Sequence, residues 1–85
     1  MINTVIDVNA TTRAFLLRMG NAWFEQKDFR QAVDVYLKIV EQYPESEESQ
    51  VAQASLLSIA QEYEQNGLLR ASLDILERLE QSISA

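Results

Sequence analysis

The side chains here that could do chemistry are mostly carboxylates, and the densest group is Glu45, Glu47 and Glu48. Acids so placed are candidates for acid–base work or for holding a cation. Glycoside hydrolysis by paired carboxylates needs an enclosing cleft and a supporting shell of residues, and a small helical domain has little room for either. The run Glu45-Ser46-Glu47-Glu48-Ser49 is a polar link whose acids suit the positive end of the following helix. Capping is therefore the first reading, ahead of contact with a basic partner and ahead of a metal. With no His and no Cys, the usual zinc sites, thiol chemistry and disulfides are excluded. Tyr36 and Tyr43 have no neighbouring His or Cys to act as base, and there is no glycine-rich phosphate loop. The sequence thus reads as a non-enzyme without catalytic residues, metal or cofactor, and the chemistry left to it is recognition.

The elements that position such residues follow from spacing. Ala14, Leu16, Leu17, Gly20, Trp23 and Phe24 recur at helical intervals, predicting a first helix capped somewhere in Asn9 to Thr12 and running to about Gln26. Lys27-Asp28 interrupts it, and Asp28 can cap a second helix striped by Phe29, Ala32, Val33, Tyr36, Leu37, Ile39, Val40 and Tyr43. Tyr43-Pro44 ends that pattern, because proline disfavours the α conformation in the residue before it. A third helix starts at Glu47 or Gln50, with Ser46 or Ser49 as its cap, and runs to Gln65 on a stripe of Val51, Ala52, Ala54, Leu56, Ile59, Ala60 and Tyr63. Asn66-Gly67 is the next turn, Gly67 readily taking positive φ. The last helix, Leu69 to Ile83, has an apolar face too wide for one neighbour: Leu68, Leu69, Leu73, Ile75, Leu76, Leu79 and Ile83.

These helices form two units. "WFEQKDFRQAVDVYLKI", from Trp23, aligns with "YEQNGLLRASLDILERL", from Tyr63, at an offset of forty residues. Trp23 meets Tyr63, Arg30 meets Arg70, Ala32 meets Ser72, Val33 meets Leu73, Tyr36 meets Leu76 and Ile39 meets Leu79. Trp23 and Tyr63 are core residues by this spacing. Ala32 and Ser72 are small enough to let paired helices approach closely.

Gly20, Trp23, Ala32, Tyr36 and Pro44, with Asp28-Phe29 in the turn, resemble one tetratricopeptide unit; Ala60, Tyr63, Gly67, Ser72 and Leu76 resemble a second. The resemblance implies an all-α, four-helix tetratricopeptide-like array of two antiparallel helix pairs. An N-terminal extension would span residues 1–11 and the domain residues 12–84, with units at about 13–46 and 50–84. An offset of forty against the family's usual thirty-four places six additional residues around Pro44 to Gln50. The "YPES" stretch at Tyr43 and the alanines after it are similar to bacterial envelope tetratricopeptide proteins of assembly complexes. No secretion signal or anchoring Cys accompanies it, so a soluble, cytoplasmic protein without membrane insertion is expected. The family's concave face, lined by the first helix of each unit, would place Leu17, Asn21 and Phe24, then Leu57, Gln61 and Glu64, against a partner segment. Asn21 matches a position that can bond a peptide backbone. Leu17 and Leu57 stand where a clamp for a terminal carboxylate has basic residues, which excludes that clamp.

Charge narrows the partner. Up to Tyr43 five acids balance five bases, whereas from Pro44 onward eight acids face only Arg70 and Arg78, so the second half carries the whole net −6. Phosphate repulsion makes nucleic acid a poor partner, and a basic protein or peptide surface a better one. The expected function is a protein-interaction adaptor. The alternative is a small structural homo-oligomer, a homodimer joined through Leu76, Leu79 and Ile83, whose exposed apolar surface a closed twofold would cover. Val5, Ile6 and Val8 offer a competing cover for that surface.

Overall fold

Apolar residues at helical spacing, separated by caps and breakers, give four helices in the computed structural model, which describes residues 8–83. They are α1 (Val8–Glu25), α2 (Phe29–Gln42), α3 (Glu47–Gln65) and α4 (Leu69–Ile83). Short links fold them into two pairs, α1 with α2 and α3 with α4, stacked so that α2 and α3 each touch all three other helices. Among the described residues α1 and α4 share no contact. The fold is an all-α, tetratricopeptide-like array.

Both pairs turn in the same way. The Asp28 amide donates to the Trp23 carbonyl at 3.0 Å and the Lys27 amide to that of Phe24 at 3.0 Å. Forty residues on, Leu68 donates to Tyr63 at 2.8 Å and Gly67 to Glu64 at 3.0 Å. This arrangement satisfies the last carbonyls of α1 and α3 and requires one left-handed residue in each turn. Gly67 takes it at φ 79°; in the first turn Lys27 takes it at φ 65°. A side chain there costs ~1 kcal/mol, partly offset by glycine's greater freedom in the unfolded chain. Lys27→Gly is therefore expected to stabilise the protein by about 0.5 kcal/mol. Urea unfolding checks this: a lower midpoint would mean that the lysine side chain contributes more than its backbone costs.

Asp28 caps α2 as its position predicts, its carboxylate accepting from the Gln31 amide at 3.2 Å. Ser46 caps α3: its hydroxyl accepts from the Ser49 amide at 3.0 Å and donates to the Tyr43 carbonyl at 2.8 Å. Ser49, the other candidate, is buried inside the helix, where its hydroxyl accepts from Gln53. The cap expected among Asn9 to Thr12 is not there, because all four residues are helical. Nor do the six additional residues form a loop. Only Tyr43 to Ser46 separate α2 from α3, and at an offset of forty Val8 corresponds to Glu48, so both first helices are lengthened alike. Val5 and Ile6 lie outside the described residues.

The core runs along α2 and into both neighbours: Ala32, Tyr36, Leu37, Ile39 and Val40 meet Ala52, Leu56, Ile59 and Ala60, with Ile75 and Leu79 from α4. Leu16, Leu17, Trp23, Phe24, Phe29, Val33 and Tyr63 pack against its edge. Val51, Ala54 and Ala14, expected on apolar stripes, are exposed, since the true contact faces are narrower than the runs of apolar letters suggest. Leu79, expected on a self-association surface, is only 5% exposed and belongs to the core with Ile75.

Candidate interaction surface

Where α3 lies on the first pair, it covers a groove between α1 and α2. Gly20 forms the floor: a Cβ there would stand 2.7 Å from the Tyr36 ring, so only glycine lets the ring come this close to α1. The Tyr36 hydroxyl donates to the Asn21 side-chain oxygen at 2.6 Å. Burial raises its pKa above that of an ordinary phenol, a hydrogen bond with Ser55 of α3 lowers it, and the nearby Glu25 charge raises it. Phe29 stacks edge-on to Tyr63 of α3 at 6.2 Å and tilts against Phe24 at 5.6 Å. At the far end Arg13 ties the units together. Its guanidinium donates to Glu48 at 3.0 Å and lies over the Tyr43 ring. The Glu48 carboxyl is held below its usual pKa, first by a backbone hydrogen bond and then by Arg13.

The same groove recurs on the second pair, and there it is open. Leu57, Ala60, Gln61 and Glu64 of α3 and Leu69, Ser72, Leu73 and Leu76 of α4 line a space of about 550 Å³. Each lining residue is the forty-residue counterpart of one in the covered groove: Leu17, Gly20, Asn21, Phe24, Phe29, Ala32, Val33 and Tyr36. Burial differs sharply between the two. Tyr36 is 1% exposed and its counterpart Leu76 40%, while Leu57, Leu69 and Leu73 are each more than half exposed. A smaller cleft of about 190 Å³ between α2 and α4 is flanked by Arg30, Arg78, Asp34 and Asp74, whose charges balance.

The six expected partner-contacting residues are therefore placed differently. Leu17 and Phe24 pack against the core, and the Asn21 oxygen is committed to Tyr36. Leu57, Gln61 and Glu64 come together in the open groove. Leu76 belongs to that groove as well, whereas Ile83 is exposed at the end of α4. The sequence reading did not single out Phe15 and Met19, which are exposed on the opposite side of the array; their four-residue spacing was the available signal.

The residues of the covered groove, with its glycine floor, its close-packed tyrosine and the turn at Lys27, lie within the segment that a known family describes. The family model for the tetratricopeptide repeat matches residues 14–46. Those residues are one tetratricopeptide repeat. The match spans α1 from Ala14, all of α2 and the link to α3, and tetratricopeptide repeats generally mediate protein–protein interaction. They are typically helical scaffolds rather than enzymes. No curated protein and no solved structure matches the chain significantly. Among the described residues no helix is long and apolar enough to cross a membrane, and no cluster of acids could hold a metal ion.

Proposed function

We propose that this protein is an interaction adaptor that receives an amphipathic helix of basic character in the open α3–α4 groove. The observation that carries this reading is the contrast between the two equivalent grooves, one filled by a helix of the chain itself and the other empty. The apolar floor of Leu57, Leu69, Leu73 and Leu76 suits a leucine-type stripe on the partner. Glu64 stands where the covered groove has Phe24, and Glu77 and Glu80 replace Leu37 and Val40. These carboxylates favour a partner flanked by Lys or Arg, and they make its approach faster at low salt.

The test is titration with two helical peptides that share a leucine stripe, one flanked by lysines and the other by glutamates. At low salt the lysine peptide is expected to bind at least ~10-fold more tightly, and the gap should close near 1 M salt, where the screening length falls to about 3 Å. Equal affinities at both salt concentrations would discard the charge preference, and failure of both peptides would discard the groove.

A closed homodimer is the second reading. It draws on the stripe of Leu69, Leu73, Leu76 and Ile83 along α4, which is apolar and exposed. Two features weaken it: Leu79 is buried, and Glu80 interrupts the stripe.

A further inference from the structure

The geometry points to head-to-tail stacking of this protein on itself, with α1 of one copy seated in the α3–α4 groove of the next. This identifies the helix that the preceding section leaves general, and it rests on that reading of the groove. The internal repeat supplies the template. Glu48, Ala52, Ser55 and Ile59 lie along one side of α3 and turn toward the first pair. Ala52 and Ile59 are fully buried, Glu48 is bonded to Arg13, and Ser55 is half-buried. Their forty-residue counterparts on α1 are Val8, Thr12, Phe15 and Met19. Val8, Phe15 and Met19 are exposed, at 67%, 53% and 36%. The array thus shows solvent an unfilled groove at one end and, at the other, an apolar stripe at the positions that fill such a groove.

Charge selects α1 as the occupant. Among the described helices it alone carries more bases than acids, Arg13 and Arg18 against Glu25, and Arg18 lies beside the stripe, over the Phe15 ring. α3 has four acids, Glu47, Glu48, Glu62 and Glu64, and no base, so a second copy's α3 would meet Glu64, Glu77 and Glu80 with like charge. A groove-to-stripe contact joins two different surfaces. It therefore leaves a groove free at one end of every assembly and a stripe at the other, and it propagates unless the rotation closes a ring.

The test uses the full chain and two variants, Phe15→Glu, which spoils the stripe, and Leu73→Glu, which spoils the groove. Both residues are about half exposed, so circular dichroism melting should show each variant folded like the parent. By light scattering over a concentration series at low salt, the parent is expected to grow beyond a dimer. Each variant should need a roughly thirtyfold higher concentration to associate with itself. Mixed in equal amounts, the variants should form a one-to-one pair that grows no further, because each retains the face that the other has lost. A parent that stops at a dimer, or variants that do not associate when mixed, would overturn the proposal. A parent that remains at 9.7 kDa yet binds the lysine peptide would overturn stacking alone; one that binds neither would overturn the groove as well.

Discussion

Gly20→Ala is expected to destabilise the protein by about 2 kcal/mol, even though alanine is the better helix former by ~1 kcal/mol. The added methyl would stand 2.7 Å and 2.9 Å from two atoms of the Tyr36 ring. That ring is buried and its hydroxyl is bonded to Asn21, so it cannot swing away without losing the bond. For a domain of this size the melting temperature should fall by roughly 10 °C. The second unit indicates the remedy: where the first has Gly20 and Tyr36, it has Ala60 and Leu76. In a Tyr36→Leu background the alanine should therefore cost little or become favourable. Thermal melts of the four variants in this cycle give the coupling directly, and an additive result would mean that the ring and residue 20 do not meet.

Ile59→Ala is expected to cost more, about 2–5 kcal/mol, whereas Leu57→Ala, two residues away, should change stability by no more than ~0.5 kcal/mol. Ile59 is fully buried at the joint between the units, and Leu57 is 51% exposed in the open groove. Loss of the Ile59 side chain leaves a cavity that helices on both sides would have to collapse to fill. Urea unfolding of the two variants measures the contrast, and a Leu57→Ala cost matching that of Ile59→Ala would place Leu57 in the core.

Much of this was legible in the sequence. Asp28, Pro44, Ser46 and Gly67 act locally, through a cap, a breaker or a left-handed turn, and such effects do not depend on distant partners. The first unit was legible as a repeat because glycine, aromatic and small residue occur together at their spacing. Burial on α4 was not. Helical periodicity shows that Leu73, Ile75, Leu76 and Leu79 are apolar, but which of them face α3 depends on how the second pair lies across the first. Polar letters from Glu45 to Ser49 suit a loop and a helix's first turn equally well, so spacing alone leaves the start of α3 at Glu47 or Gln50, and the structure starts it at Glu47. The bond from Arg13 to Glu48 joins residues thirty-five apart and leaves no periodic trace. Phe15 and Met19 lie off the dominant apolar stripe of their helix, and periodicity identifies only the dominant stripe.

The absence of contact between α1 and α4 among the described residues bears on how the chain folds. Most contacts join helices that follow one another in sequence, so little loop entropy must be lost before each new contact forms. Such a chain belongs with the fast folders, those that need microseconds to milliseconds. Its pairs are coupled through the core that α2 and α3 share, as in a row of tiles each laid against the last. α2 and α3, which each touch all three other helices, are the elements that hold the array together. α1 and α4 can fray without disturbing each other, and protection of backbone amides against exchange should therefore decline outward from α2 and α3.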